Sequence, residues 1–497
     1  MKRFVGLLLV LIMLVSCIAC SQDKNDGVTD NNSNAVDTPG ADEQINPNLA
    51  AIDGGGKEIR LLARESGLTA NYWYEEIFSE GTDMSNVVDA NVYKRNTYIK
   101  EKYNVTINRT EINHNQIAAT VDTQIRSMSD DSDSYHIVLP MLVHAFNIAN
   151  NGYSYSIDSL EFIDPQKPYW RGDIYNATTI KNKNYFISGD INTSVYGSSW
   201  TTFFNEEIVE NNNIENPYDL VKKGKWTMEK MLELSKNFGG DGGDGVYDNT
   251  DNYAICSGTW VWQCFFYGSD LKFIDKDNND VPFIVSSDAG KREILQDVLV
   301  KTVEIMNDPS RSVNANKAGL SSQPSKLFCN GQVLFYFANV NNAFVANDIK
   351  DMSDEYGVLP LPKLNEDQEQ YSNAVHPHHS STIVIPKNIS NDFLKLLSSV
   401  LEDMAYYSYE YVKPAYYDTV ITYRSVRNEN SYEMMSYIFE NFNIDFGLIM
   451  TDMFGFDEEV RNKIMANDAN FSSYLSGYTS VWKMAIDDIV KTYGGGK

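Results

Sequence analysis

The chain predicts an α/β body of two lobes carried on a flexible lead, and three observations predict it. Residues 57–140 alternate strand and helix with short connections, which is the pattern of a parallel sheet with helices on its faces. About 440 residues follow a polar, glycine-rich tract, a length that divides naturally into two cores. A twice proline-broken extended segment, residues 356–363, lies between further strand and helix patterns and suits a connection between lobes.

The elements follow in order. Lys57-Glu58-Ile59-Arg60-Leu61-Leu62-Ala63 reads as the first strand, with a loop from Glu65 to Asn71 and then Tyr72-Trp73-Tyr74. Asn91 to Tyr103 reads as a helix, Val105 to Asn108 as a strand, and Ile112 to Met128 as a second helix. Ser134 to Leu139 is a buried strand that stops at Pro140. In open sheets of this kind ligands sit beyond the carboxyl ends of the strands, which directs attention to the loops after Ala63, Asn108 and Leu139. Further on, Tyr185 to Ile191 and Thr201 to Asn205 are extended, and Thr227 is a candidate cap for a helix from Met228 to Phe238. Lys291 to Met306 is helical, Gly331 to Phe337 a strand, Thr382 to Pro386 a strand and Phe393 to Tyr407 a helix. The last part, Ser431 to Phe442 and Val481 to Tyr493, is mainly helical.

Ahead of this body stands an address. Lys2 and Arg3 precede an apolar run over residues 4–16, and Leu14-Val15-Ser16-Cys17 has the residue sizes of a lipobox. The expectation is a lipoprotein signal over residues 1–16, with acylation at Cys17 and Cys20 as the alternative. The apolar run is shorter than the roughly 20 residues a membrane span needs. Residues 17–56 are dominated by Asn, Asp, Ser, Gly, Thr and Pro and end in Gly54-Gly55-Gly56. Such a stretch buries too little apolar surface to fold, so a disordered tether is expected there. The expected location is the outer face of the cell membrane, with the body held by its lipid.

Composition removes some classes of partner. With 41 Lys+Arg against 68 Asp+Glu, the net charge is −27, which argues against nucleic acid or an anionic surface. The 31 Tyr and 7 Trp offer flat faces with polar handles that suit a sugar or peptide cleft, and suit a large core equally. Beyond Cys17 and Cys20, the cysteines Cys256, Cys264 and Cys329 have no metal-type spacing and do not form a disulfide framework.

Five stretches carry a resemblance: Tyr93-Lys94-Arg95-Asn96 through Val105; Asp164-Pro165-Gln166-Lys167-Pro168-Tyr169-Trp170; Gly224-Lys225-Trp226-Thr227; Tyr356 through Lys363; and Tyr416-Tyr417-Asp418-Thr419 through Ser431. Through them the body resembles the extracellular solute-binding lipoproteins that feed bacterial ABC importers, specifically the large sugar-binding type related to maltodextrin-binding proteins. The resemblance implies a periplasmic-binding-protein-like fold of type II, with a ligand cleft between lobes joined by hinge strands. It implies residues 57–193 and 362–415 in lobe 1, and 194–361 and 416–497 in lobe 2. It also implies a monomer that captures a carbohydrate and hands it to membrane permease subunits, without catalysis. A surface glycan-capture or sensing protein is the alternative, and a secreted glycoside hydrolase a further one, since the separation of paired carboxylates is a three-dimensional quantity.

Candidate ligand contacts follow from topological place and residue type. Trp260 and Trp262 would share one face of a strand, one stacking on a sugar while the other packs inside. Trp73, Tyr74 and Trp200 are further stacking candidates. Tyr336, Asn339 and Asn341 end the strand from Gly331, and an Asn amide donates and accepts at once, which fits hydroxyl groups. Glu65 follows the first strand and His144 the third. His376-Pro377-His378-His379 lacks the partners of a metal site, and His378 is the candidate for the cleft.

Asp241 to Asp251 resembles a calcium loop. Asp244, Asp248 and Asp251 keep side-chain ligand positions and Val246 keeps the backbone one, while Gly240 and Gly242 stand where two oxygen side chains belong. Bound calcium and a degenerate loop that keeps only the turn both remain open.

Overall fold

The computed structural model describes residues 45–65, 77–81, 84–127, 131, 133–314, 316, 324–342, 349, 352–422 and 429–494. The expected signal, Cys17, Cys20, most of the tether, Trp73 and Tyr74 lie outside the described residues. Among the described residues no helix is long and apolar enough to cross a membrane.

The first sheet is built as the alternation predicts. Strand β1 (Lys57–Arg64) is followed by helix α1 (Val87–Tyr103), β2 (Val105–Ile112), α2 (Ile117–Ser127), β3 (Ile137–Val138) and α3 (Leu142–Asn150). The strands pair in parallel in the order β2-β1-β3, with Leu61 opposite Arg109 on one side and Ile137 on the other. Period-two geometry splits β1 between two cores. Ile59 and Leu61 pack with Ile99, Tyr103 and Val105, while Leu62 packs with Val121, Val138 and Phe146. Asn86 starts α1 by accepting from Val88 N and Asp89 N, and Asn104, at φ 47°, ends it and releases the chain directly into β2.

The fold begins earlier than residue 57. Gly54 N donates to Tyr103 O at 2.7 Å, Gly56 N donates to Asn104 O at 2.8 Å, and Gly55 and Gly56 turn at φ 63° and 77°. The three glycines expected as loose tether therefore form a tight turn locked to the end of α1. A Cβ on Gly54 would stand 2.4 Å from Val105 Cγ1 and 2.9 Å from Tyr103 O. Gly54→Ala is expected to cost about 1–3 kcal/mol by overpacking, read as an earlier midpoint in urea denaturation.

The second sheet contains β4 (Trp200–Asn205), β5 (Tyr253–Ser257), β8 (Ser312–Asn314), β9 (Val333–Asn339) and β10 (Tyr356–Leu359), in the order β10-β4-β9-β5-β8. Strands β5, β8 and β9 run parallel, whereas β4 is antiparallel to both β9 and β10. Helices α4 (Val261–Gly268) and α5 (Ala289–Met306) flank it, and a hairpin of β6 (Ile274–Lys276) and β7 (Pro282–Ile284) lies between them in sequence. Thr227 caps its helix as expected, accepting from Lys230 N at 3.1 Å.

Two sequence expectations change here. Residues 356–359 do not link lobes but form an edge strand of this sheet on β4. The chain stays with that side beyond 362: Lys363 bridges Thr227, Trp226 Nε1 donates to Pro360 O, and Gln368 Nε2 donates to Gly268 O. The proline spacing that suggested a linker instead serves a strand end. Trp260-Val261-Trp262 is not extended either, since Val261 opens α4 and the two indoles point to different sides.

The passage between the sheets is a set of short crossing strands. Trp200 N donates to Ala374 O, His376 N to Ser198 O, and Val340 N to Ser199 O, each at 2.9 Å. Beyond them residues 381–386 return to the first sheet, with Ser381 opposite Met141, Val384 opposite Val138 and Ile383 opposite Ile187. Helix α6 (Asn391–Tyr407) then packs on α1, α7 (Lys413–Thr422) follows, and α8 (Phe456–Ala466) and α9 (Thr479–Gly494) close the chain.

Buried carboxylates fix these late helices. Glu402 accepts from Tyr169 Oη at 2.6 Å and Trp170 Nε1 at 2.8 Å, and burial pushes its carboxyl up to about 7. That contact explains the role of the Tyr169-Trp170 landmark as packing. Asp190 holds the Tyr196 hydroxyl and faces Lys413 Nζ at 3.4 Å, which ties the first crossing to the start of α7.

Candidate functional site

The carboxyl ends of the two sheets face one another across the crossing strands. The second sheet brings there Trp200 at the start of β4, Ser257 to Trp260 after β5, Asn314 at the end of β8 and Asn339 at the end of β9. From the first sheet come Arg64 at the end of β1, Glu65 after it, Asn113 after β2, and the first turn of α3 with His144.

A three-residue path joins the sheets. Arg64, only 6% exposed, donates from Nη1 to His379 O at 3.2 Å. The His379 ring meets Asn339 Oδ1 at 3.2 Å through Nδ1, and Asn339 Nδ2 donates to Ser198 O at 2.9 Å. Because the Asn339 amide nitrogen is already donating, its oxygen faces His379, so His379 carries its proton on Nδ1. The His376 ring lies parallel to His379, centroids 3.8 Å apart and 13° between planes, and the Trp200 ring is tilted at 48° to it with centroids 5.6 Å apart.

A second path reaches α8. Trp200 Nε1 donates to Gln263 Oε1 at 3.0 Å, and Gln263 Nε2 donates to Asp457 Oδ1 at 3.0 Å. The same Asp457 accepts from Trp262 Nε1 at 3.0 Å and from Arg461 Nε at 2.8 Å. With both amide groups of Gln263 engaged, the buried Trp200 indole is fixed in orientation.

Electrostatically the imidazoles are neutral. Burial drives His376 down to about 3, with His378 and Arg461 lowering it further and Asp457 opposing, and burial drives His379 well below the usual range. The wall they form offers neutral donors and acceptors rather than charge.

The sequence-selected residues divide. Trp200, Trp260, Asn339, Glu65, His144 and His378 come to the strand ends, with Glu65 accepting from Asn113 Nδ2 at 3.0 Å and His378 5.8 Å from the His376 ring. The Trp260 indole folds back over Gly258, where a Cβ would stand 2.4 Å from the ring. Trp262 is fully buried against Phe266, Tyr267 and Phe273, a core residue because it faces inward on α4. Tyr336 is a core residue as well, stacked on Phe203 and Phe328 in the middle of β9. Asn341 is locked into the crossing, taking the Tyr416 hydroxyl at 3.2 Å against Gly197, whose hydrogen leaves just enough room.

Sequence reasoning missed Arg64, Gln263, His376, His379, Asp457 and Arg461. The histidine run pointed at two of these, but Asp457 opens a charged helix that reads as a solvated face, and only the fold brings it to Trp200.

The loop resembling a calcium site spends its carboxylates on its own backbone. Asp251 accepts from Gly242 N and Asp248 N at 2.7 Å, Asp244 from Val246 N at 2.9 Å, and Asp248 from Thr250 N at 2.8 Å. Asp241 takes three more N–H groups. Val246 is exposed, and no group of three or more His, Cys, Asp or Glu able to hold a metal occurs among the described residues. The residues present do not converge on an ion.

A surface groove of about 280 Å³, lined by Asp270, Leu271, Lys272, Asp275, Lys291 and Leu295 among others, lies at the other end of α4 and contains none of these residues. Its lining has no aromatic face and no convergent network, so the strand ends are the better site.

The architecture is that of the two-lobed periplasmic-binding-protein-like fold. Solved structures of the sugar-binding proteins of ABC transporters share it. One is a sugar transporter protein from Rhizobium etli in an open conformation, 14% identical, covering 88% of this chain and 98% of that one, TM-score 0.52. Another is the galacto-N-biose-/lacto-N-biose I-binding protein of the ABC transporter from Bifidobacterium longum, in complex with lacto-N-biose: 11% identical, 89% and 99% covered, TM-score 0.52. A third is an ABC substrate-binding protein from Listeria monocytogenes in complex with cycloalternan: 14% identical, 88% and 99% covered, TM-score 0.50. No family model matches the sequence, and no curated protein matches it.

Proposed function

We propose that the protein is a lipid-anchored extracellular solute-binding protein that captures a carbohydrate, an oligosaccharide in particular, between its lobes and delivers it to an ABC permease. The observation that carries this reading is the meeting of indoles and bidentate polar groups at the facing strand ends. Trp260 supplies a partly exposed apolar face for a pyranose ring beside the buried Trp200; Glu65, His376 and His378, each partly exposed, stand at the same strand ends with groups suited to hydroxyls. The solved structures of this fold described above, with lacto-N-biose and cycloalternan bound, support the ligand class. Closure of the lobes would be driven by contacts a ligand makes to both sheets at once.

A thermal-shift screen of monosaccharides, oligosaccharides and peptides tests it. A ligand that binds only the folded state raises the melting temperature by mass action, so one or more oligosaccharides at 100 times Kd should add about 2.7 kcal/mol. Peptides shifting the protein while sugars do not would overturn the carbohydrate assignment. Release of reducing ends during the incubation would overturn binding without catalysis.

A further inference from the structure

We propose that the stacked pair His376 and His379 is a pH-sensitive clasp of the hinge, which holds the two lobes in the present arrangement when neutral and releases them when protonated. The inference rests on the proposed capture function for its consequence, acid-promoted ligand release, but not for its conformational readout.

The pair occupies the place where the crossing strands meet. His376 N is bonded to Ser198 O in the first crossing, and His376 O accepts from His379 N and Ser380 N, each at 2.9 Å, which folds residues 376–380 into a tight turn. Immediately after it, Ser381 N and Oγ bond to Ser194 Oγ, and Leu142 N bonds to Ser380 O. His379 bonds Asn339 of β9 through its side chain and Arg64 of β1 through its carbonyl. One short turn thus touches both sheets, and its geometry depends on two rings in contact.

Protonation attacks that geometry at three points. His376 Nδ1 is buried without a hydrogen-bond partner, so an added proton there becomes a charged donor with nothing to receive it. A second imidazolium 3.8 Å away on the parallel ring repels the first. Around the pair stand Arg64, His378 and Arg461, which all disfavour added charge, against Asp457 alone, whose oxygens are already committed to Trp262, Gln263 and Arg461. Burial lowers both histidines, so the neutral arrangement contributes its full stability above the unfolded histidine value of about 6.5 and loses it progressively as pH falls below that.

The experiment uses the full, ligand-free chain. Small-angle scattering and far-ultraviolet circular dichroism are recorded together from pH 7.5 to 4.5 for the native protein, for His376→Gln/His379→Gln, and for His114→Gln, a histidine outside the 376–380 turn. The expected result is a rise in radius of gyration as pH falls, with unchanged dichroism, lost in the double variant and retained in His114→Gln. A constant radius in the native protein, an identical transition in the double variant, or dichroism lost in the same step would each overturn the clasp. If the radius responds but no sugar binds at any pH, the clasp stands and the carbohydrate assignment falls.

Discussion

Replacement of Asp445 by alanine is expected to destabilise the protein by about 3–5 kcal/mol. The side chain is 1% exposed and has four donors around it: Phe273 N at 2.8 Å, Ile274 N at 3.1 Å, Gly447 N at 2.7 Å and the Tyr267 hydroxyl at 3.3 Å. Truncation leaves three backbone N–H groups buried with no acceptor, and each costs its own desolvation. The hairpin β6–β7 and the short helix Phe446–Ile449 lose their common tie, so the unfolding midpoint in guanidinium should fall with little change in slope. Asp445→Asn is the informative comparison. It keeps the shape and one acceptor oxygen but turns an NH2 group toward donors, so about half the loss should remain. Burial raises the native carboxyl to about 6, so its neutral form contributes stability below the unfolded value near 3.8 that is lost as pH rises through about 6. The asparagine variant should lack that part of the pH dependence. A midpoint unchanged in both variants would remove Asp445 from the list of structural ties.

Trp260→Ala is expected to weaken binding of the best sugar found in the thermal-shift screen by about 100-fold, close to 2.7 kcal/mol, while leaving the fold intact. Trp260 is partly exposed at the carboxyl end of β5, lies over Gly258, and belongs to neither the α4 interior nor a buried hydrogen-bond network. Trp200 is a poorer test of stacking, because it is 2% exposed and tied to Gln263, so its removal also opens a cavity. Calorimetric titration separates the two. Loss of affinity with an unchanged melting temperature marks a ligand contact. An unchanged affinity in Trp260→Ala would move the stacking surface elsewhere along the strand ends.

The first lobe was readable in the sequence because its signals are local. β1, α1, β2 and α2 each announce themselves by period or turn residue, and Asn104 marks the end of α1, whereas the helix starts at Val87 under the Asn86 cap and not at the expected Asn91. The strand Thr382 to Pro386 was legible as a segment, but its partners β3 and residue 187 were not, since pairing joins positions about 200 residues apart. Trp260 to Trp262 misled for a physical reason: an apolar run of this length is compatible with either period, and the choice between strand and helix was made by packing against Phe337 and Phe273. Tyr336 and Asn339 illustrate the limit for sites. They lie three residues apart in one strand, yet one is stacked between Phe203 and Phe328 and the other faces the hinge, a difference that alternation allows but does not assign. Asp457 and Gln263 had no signal of their own, because their meaning is the distance between them.

The glycine turn at residues 54–56 bears on how the protein can be handled. It enters β1 at the amino end of the strand, and the eight residues of β1, about 26 Å at 3.3 Å each, separate that point from Arg64 and Glu65. A label, a solid support or a fused partner attached upstream therefore joins the molecule at the rim of the sheet farthest from the strand ends. Coupling at this turn itself leaves the strand ends free, which makes the chain a natural starting point for a surface-mounted optical sensor.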